Sequence, residues 1–160
     1  MRVKQIVDED FVNYKLPSMF LATCFCTFKC QKELGIDKSI CQNEPIYHQP
    51  NIEVPADEIF RRYSENPITH AVVFGGLEPF LQFYEMLEVI KTFRNNGCND
   101  TVVIYTGYYE SEISHQIELL SQFCNIICKF GRYKPGQKPH YDEVLGVNLS
   151  NIEQYGKRIS

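Results

Sequence analysis

The sequence predicts an α/β fold, an open partial (β/α) barrel with mostly parallel strands, formed by one domain over residues 1–160. Apolar strand segments alternate with helical segments, which is the order that gives parallel strands joined by crossover helices. The chain has 160 residues, whereas a complete eight-stranded barrel needs about 250. A cysteine-rich loop follows an N-terminal strand, and ligands of such sheets bind where the strands end.

The first predicted elements flank a long loop. Val3–Val7 alternates weakly and is predicted as a strand, and the apolar run Ser18–Thr23 is predicted as a buried strand. Residues 24–50 show no clean periodicity, so we predict a long loop, here named the cysteine loop, with one helical turn around Lys32–Gly35. Proline is tolerated at a first helical position, so Pro55 begins a helix that ends near Ser64.

Strands and helices alternate in the second half of the chain. β-Branched runs indicate strands, whereas apolar residues at three- and four-residue spacing indicate helices. The predicted strands are Ala71–Phe74, Thr101–Tyr105, Ile126–Phe130 and a final one near Lys157–Ile159, and the predicted helices are Pro79–Asn95 and Glu110–Phe123. Loops are predicted to dominate after Gly131, with three basic residues exposed to solvent: Arg132, Lys134 and Lys138.

Composition excludes several classes of function. The net charge is −4, whereas general nucleic-acid binding needs a basic surface. No run approaches the roughly 20 apolar residues of a membrane span, and the start carries Asp8, Glu9 and Asp10 where a signal peptide is apolar. We therefore expect a cytoplasmic protein without nucleic-acid or membrane partners. Its seven cysteines then favour metal binding or catalysis over disulfides.

Four of these cysteines lie in the cysteine loop, directly after a strand end: Cys24, Cys26, Cys30 and Cys41. Thiolates select zinc or iron–sulfur clusters among the common metals. Structural zinc sites favour Cys-x-x-Cys pairs, and the loop contains none. The loop is therefore predicted to bind a metal, with an iron–sulfur cluster favoured and a four-cysteine zinc site as the alternative.

The other cysteines and the histidines are interpreted as structural. Cys124 and Cys128 repeat a Cys-x-x-x-Cys spacing, but in a predicted strand, where four residues span about 13 Å. Both are therefore expected in the core, since free cysteine is often buried. Cys98 is predicted in a turn. His48 follows the cysteine loop and is the alternative metal ligand among the histidines, although a surface position is expected.

A glycine turn follows the strand Ala71–Phe74. Gly75 and Gly76 let a ligand approach the backbone, and the helix start offers amides to a carboxylate. Glu78 can accept a charge-assisted hydrogen bond from an ammonium. The turn therefore suits a zwitterionic amino-acid group, with an ordinary tight turn as the alternative.

The next strand ends in Tyr105, Thr106 and Gly107. Tyrosine and threonine at a strand end can contact a ribose or a base. The alternative is ordinary packing, since most of the ten tyrosines and eleven phenylalanines are expected in the core.

Together, these segments resemble the radical S-adenosylmethionine enzymes, and within them the small activating enzymes of anaerobic ribonucleotide reductase. Cys26-Thr-Phe-Lys-Cys30 is similar to the first half of the family's Cys-x-x-x-Cys-x-x-Cys, and Cys41-Gln-Asn is similar to its last cysteine. Ten residues instead of two separate Cys30 from Cys41. This spacing is non-standard, but closing a longer loop becomes costlier only slowly with its length.

The later motifs also resemble this subgroup. Gly75-Gly-Leu-Glu-Pro79 is similar to the family's Gly-Gly-Glu-Pro turn, with Leu77 as an extra residue. Val-Ile-Tyr-Thr-Gly-Tyr108 is close to the subgroup's strand end. Phe130–Tyr133 is similar to its late glycine turn, with Lys129 in place of an expected aspartate.

The resemblance implies a 4Fe–4S cluster held by Cys26, Cys30 and Cys41, with one open iron that binds S-adenosylmethionine. It implies cofactor-binding roles for Gly75, Gly76, Glu78, Tyr105, Thr106 and Gly107. One electron then cleaves the sulfonium and gives a 5′-deoxyadenosyl radical, which makes the protein an oxidoreductase of anaerobic metabolism. The implied partners are a large glycyl-radical enzyme, such as anaerobic ribonucleotide reductase, and a flavodoxin-like or ferredoxin-like reductant.

Two alternatives stay open from the residues alone. If Cys24 binds the fourth iron, no open site is left, and the protein is a non-catalytic iron–sulfur module for electron transfer. If the cysteine loop binds zinc, the protein is a zinc-stabilised binding protein. The ten-residue spacing and Leu77 favour the electron-transfer module, whereas Glu78 and the strand end at Tyr105 favour the radical enzyme.

Overall fold

The computed structural model describes residues 1–160 and centres on a six-stranded sheet. The strands are β1 (Arg2–Val3), β2 (Gln5–Asp10), β3 (Ser18–Ala22), β4 (Ile52–Glu53), β5 (Ala71–Gly75), β6 (Thr101–Tyr105), β7 (Ile126–Phe130), β8 (His140–Asp142), β9 (Val147–Leu149) and β10 (Tyr155–Arg158). The helices are α1 (Lys29–Leu34), α2 (Glu44–Tyr47), α3 (Ala56–Ser64), α4 (Phe83–Asn95) and α5 (Ser114–Leu120). Short 3-10 turns cover Lys38–Ile40, Pro79–Gln82 and Glu110–Glu112.

The strands of the main sheet lie in the order β10-β7-β6-β5-β3-β2. The four central strands are parallel, and β2 and β10 pair antiparallel at the two edges. The register pairs Ala22 with Gly75 and Tyr105 with Lys129, so the central strands end at the same edge. The predicted α/β class with a mostly parallel sheet is confirmed, while the partial barrel stays a prediction.

Alternation along the strands separates two apolar layers. On one face, strand residues such as Leu21, Phe74 and Ile104 pack with the buried residues of α3 and α4. On the other face, Val73, Val103 and Ile127 form a smaller cluster whose remaining members are Ala71, Tyr14, Leu145 and Leu149. The segments 11–17 and 140–149 therefore cover part of the sheet face that lies opposite the helices.

Several elements differ from the sequence prediction. The strand pairs β1–β4 and β8–β9 were not predicted, because each strand has only two or three residues and its partner supplies the stabilising hydrogen bonds. The last strand begins at Tyr155, before the predicted Lys157, and runs antiparallel to β7. No helix in the structure combines the length and the apolar character needed to cross a membrane.

Phe93 lies in the apolar layer between the sheet and the helices, and its substitution tests this packing. The centroid of its ring lies 5.2 Å from the ring centroid of Phe60 and 5.0 Å from that of Tyr63, and the side chain is buried. We expect Phe93→Ala to lower the free energy of unfolding by about 3–5 kcal/mol, because truncation leaves a cavity. Tyr84→Ala, at an exposed position of the same helix, is the control. Equal denaturation midpoints for the two variants would contradict this packing.

Candidate metal centre

A cavity of about 470 Å³ opens at the edge where the central strands end. Three cysteines of the cysteine loop line it: Cys26, Cys30 and Cys41. The ends of β5 and β6 contribute five further residues: Gly76, Glu78, Tyr105, Thr106 and Gly107. The structure therefore brings eight of the nine site residues implied by the resemblance to one cavity, and the ninth, Gly75, does not line it.

Local backbone geometry brings Cys26 and Cys30 to the cavity. After β3, the amide and hydroxyl of Thr23 donate to the carbonyl of Gly75 at 2.9 and 3.0 Å, which fixes the start of the cysteine loop. Phe28 then adopts a left-handed conformation with φ 54° and precedes α1, which carries Cys30. Bulky residues seldom adopt this conformation, and they keep it only where the surroundings impose it.

The ten residues between Cys30 and Cys41 are mostly regular: they comprise the rest of helix α1 and a 3-10 turn. Helix α1 ends at Leu34, and the next residue, Gly35, has a φ of 65° that suits glycine. A 3-10 turn then follows. The carboxylate of Asp37 accepts a hydrogen bond of 2.9 Å from the amide of Ser39 at the start of this turn. The chain then returns to the cavity at Cys41, so the non-standard spacing still places the third cysteine with the other two.

Burial disfavours the thiolate form of two cysteines of the cavity, Cys26 and Cys41. Burial raises the pKa of Cys26 to about 11, although the Phe28 amide donates to its Sγ at 3.2 Å and acts in the opposite direction. Burial also raises the pKa of Cys41. Metal ligation needs thiolates, so cluster binding at this site would release protons. No three Cys, His, Asp or Glu side chains are close enough to hold a single ion, and the three thiols border the cavity instead.

Cys24 does not join the other three cysteines of the loop. It is buried, its amide donates to Oε1 of Gln82, and it does not line the cavity. Burial raises the pKa of its thiol, with smaller effects from Lys4, Glu85 and Arg2. The charged groups around Cys24 are thus those of the N-terminal strand and α4.

The remaining cysteines and His48 lie away from the cavity. Cys128 is buried in β7, as expected. The expectation of a core position for Cys124 is wrong, because β7 begins only at Ile126 and the exposed Cys124 thiol donates to Oδ1 of Asn99 at 3.1 Å. His48 is exposed, as expected, and its Nε2 lies 2.6 Å from Oε1 of Glu44.

Glu78 organises the turn between β5 and α4. Its Oε1 accepts hydrogen bonds from the Phe80 amide and the Thr106 hydroxyl, at 3.1 and 2.8 Å. Its Oε2 accepts one from the Gly107 amide at 2.9 Å. Burial nevertheless raises the pKa of Glu78 to about 7. A carboxylate has about four acceptor sites, so one remains for a ligand.

Two other residues predicted to bind the cofactor, Tyr105 and Gly75, make contacts within the protein. The hydroxyl of Tyr105 donates to the carbonyl of Asn13 at 2.6 Å and so holds the segment 11–17 against the sheet. Gly75 packs under an aromatic ring, because an added Cβ would lie 2.9 Å from Cε2 of Phe20. Gly76 has φ 78°, a conformation that favours glycine, at the point where the backbone borders the cavity.

Sequence reasoning assigned no site role to Lys129 or Gln31. Lys129 is the cavity's only cationic side chain; it is buried, and burial lowers its pKa to about 8. The available signal was a single charge within the apolar run Ile-Ile-Cys-Lys-Phe. Gln31 also lines the cavity and is buried, and no feature of the sequence marks it.

The expectation that Arg132 lies in solvent is wrong, because only 3% of its side chain is exposed. Its guanidinium donates to Glu33 at 2.8 and 3.0 Å, to Glu112 at 2.7 Å and to the carbonyl of Gly107. The bond from Arg132, together with bonds from Lys29 and the Tyr109 amide, lowers the pKa of Glu112 to about 2. Arg132 therefore links the helix that carries Cys30 to the loop after β6 and to the chain after β7.

Gly107 provides a steric test of the cavity. An added Cβ would lie 3.1 Å from Sγ of Cys30 and 3.6 Å from Oε2 of Glu78. We expect Gly107→Ala to lower the iron content of the reconstituted protein by about threefold or more, because shifted ligands weaken metal sites. The unfolding midpoint of the metal-free variant, measured in parallel, separates this effect from a loss of fold. Full iron loading would contradict the contact.

The donor groups of the cavity fit an iron–sulfur cluster. Three thiols are the ligand type that such clusters use. In addition, Nε2 of Gln31 is buried without a hydrogen-bond partner, although buried N–H groups normally have one. An acceptor atom of a group bound at the cysteines would give the Gln31 amide the hydrogen-bond partner that it lacks.

Comparison with known proteins agrees with this chemistry. The family model described as "4Fe-4S single cluster domain" matches residues 18–152, which is most of the chain. No curated protein and no solved structure matches the sequence. The matched range includes the cysteine loop and the ends of all four parallel strands. The chain belongs to the 4Fe–4S single cluster domain family, which is found in radical S-adenosylmethionine proteins.

Proposed function

We propose that Cys26, Cys30 and Cys41 hold a 4Fe–4S cluster and that the same cavity binds S-adenosylmethionine. The observation that carries this proposal is the single cavity, which is lined by the three cysteines and by residues at the ends of β5 and β6. When bound, the cluster supplies the electron that cleaves the sulfonium of the cofactor. Three protein ligands leave one iron free for the cofactor.

The residues of the cavity have separate tasks in this proposal. The three thiolates bind iron after losing their protons. Gly76 lets the ligand approach the backbone. Glu78 holds the turn after β6 through Thr106 and Gly107, and its remaining acceptor site receives an ammonium.

The proposed role is the activation of a glycyl-radical enzyme, such as anaerobic ribonucleotide reductase, with electrons from a flavodoxin-like or ferredoxin-like protein. The motifs around Cys26, Gly75 and Phe130 support this role through their resemblance to the activating enzymes. Val12 lines the cavity and is 75% exposed, and the adjacent Phe11 is 63% exposed. Exposed apolar residues beside a site suit a macromolecular partner.

The test is anaerobic reconstitution of the full chain with iron and sulfide, followed by visible and electron paramagnetic resonance spectroscopy. We expect a brown protein whose reduced-cluster signal changes when S-adenosylmethionine is added. With a reductant present, methionine and 5′-deoxyadenosine are the expected products.

Other outcomes identify the alternatives. A brown protein with an unchanged signal and no cleavage products would indicate a closed electron-transfer cluster. A colourless protein that takes up zinc and no iron would reject both iron–sulfur functions.

A further inference from the structure

Two side chains of the cavity have hydrogen-bond donors that the protein does not use. Gln31 follows Cys30 in α1, and its buried Nε2 has no partner. Lys129 lies at the end of β7, and its Nζ donates one hydrogen bond of 3.1 Å, to the carbonyl of Gly131. An ammonium has three donors. Both residues line the cavity that the cysteines border, so a cluster held there would lie beside both side chains.

The charges of the cavity wall are few. Lys129 is the only cation and Glu78 the only carboxylate among the residues that line it. The Glu78 carboxylate already accepts hydrogen bonds from Phe80, Thr106 and Gly107. Lys129 donates one hydrogen bond to the carbonyl of Gly131, and its positive charge offsets the negative charge of Glu78. Without Lys129, the residues that line the cavity would carry a net negative charge. A buried charge acts more strongly on its neighbours than an exposed one, because water screens it less.

We propose that Lys129 and Gln31 raise the reduction potential of the cluster. This inference rests on the proposed function, because it needs a cluster at Cys26, Cys30 and Cys41. Reduction adds one electron from an external one-electron reductant, and no bond of the protein is made or broken. A fixed positive charge stabilises the more negative, reduced state, and N–H donors to the sulfurs act in the same direction.

This tuning determines which electron donors can serve the protein. A cluster of higher potential accepts an electron from a weaker reductant. Lys129 and Gln31 thus make the cluster easier to reduce for a donor of the flavodoxin-like or ferredoxin-like class. Electrostatic tuning of this kind changes the potential without adding or removing a ligand of the cluster.

The experiment is a redox titration of the reconstituted full chain, followed by electron paramagnetic resonance. Lys129→Met removes the charge and keeps the length of the side chain. We expect the ratio of reduced to oxidised cluster at a fixed potential to fall at least tenfold, which is about 59 mV for a one-electron couple. Gln31→Met removes only a neutral donor, and a fall of about threefold is expected.

Two variants serve as controls. Lys129→Arg keeps the charge, and its midpoint is expected close to that of the wild type. Lys91→Met makes the same change in net charge at an exposed position of α4, and no shift is expected. If Lys129→Met fails to fold, Gln31→Met still tests the inference, since an unchanged midpoint there would contradict it.

The outcomes separate this inference from the proposed function. Equal iron content with unchanged midpoints in both methionine variants would overturn the inference and leave the proposed function intact. An unchanged midpoint combined with a weaker response to S-adenosylmethionine would also overturn it, by assigning Lys129 to ligand binding. A wild-type protein that takes up no iron would reject the proposed function itself.

Discussion

Replacing Cys30 with serine is expected to remove the cluster. Cys30 lies on α1, lines the cavity and has its sulfur next to Gly107. A hydroxyl is a poor substitute for a thiolate at iron, and two remaining cysteines do not hold a cluster of four irons firmly. We expect the iron and sulfide content after reconstitution to fall at least about tenfold. The visible absorption of the cluster measures the same loss, and Cys26→Ser and Cys41→Ser are expected to behave alike.

The chain supplies matched controls for this experiment. Cys124→Ser changes an exposed thiol away from the cavity, and full iron loading is expected. Cys24→Ala tests the fourth cysteine of the loop, which the structure separates from the cavity. Retention of the cluster in Cys24→Ala is the expected result. Loss of the cluster in Cys24→Ala alone would assign it as a ligand and would favour the closed electron-transfer cluster.

Arg132→Met is expected to destabilise the protein and to weaken its hold on the cluster. The guanidinium is the shared partner of Glu33 in α1 and Glu112 after β6. Its removal leaves the carbonyl of Gly107 without a donor and leaves Lys29 as the cation that contacts both glutamates. We expect the free energy of unfolding to fall by about 2 kcal/mol, which is less than for a fully buried pair because both glutamates are partly exposed. Chemical denaturation of the metal-free protein measures this change.

Two further measurements make the role of Arg132 specific. Because α1 carries Cys30, we expect the variant to lose iron faster to a chelator than the wild type does. Arg61→Met is the matched control, since Arg61 also contacts two glutamates, Glu58 and Glu65, but lies in solvent. No change in midpoint or in iron release is expected for Arg61→Met. Identical behaviour of the two arginine variants would contradict a positioning role for Arg132.

The elements with strong local signals were predicted well. The β-branched run Thr101–Tyr105 and the apolar run Ile126–Phe130 form strands with the predicted bounds, because such residues suit a strand that is buried on both faces. The helix that begins after Pro55 also ends at Ser64, as predicted. By contrast, β1 and β4 are held together by pairing across the chain, as in Arg2 with Glu53. No local pattern reports such a pairing.

The candidate site likewise has features that local sequence predicts and features that only tertiary contacts determine. The sequence predicted the four cysteines of the cysteine loop as candidate metal ligands, because thiol chemistry is a local property, and the family resemblance implied the set Cys26, Cys30 and Cys41. It gave no sign that Cys24 lies away from the cavity, since this depends on contacts with residues distant in the chain, such as Gln82 and Glu85. The burial of Arg132 depends on Glu33, which lies 99 residues away in the chain.

The sequence alone determined the α/β class, the metal-binding character of the cysteine loop and the glycine turn at the end of β5. These features follow from periodicity and residue chemistry, which act over a few neighbouring residues. Tertiary structure alone decided that the ten-residue insertion returns Cys41 to the cavity and that Lys129 and Gln31 share its wall. The physical reason is that convergence and burial are set by contacts between segments far apart in the chain.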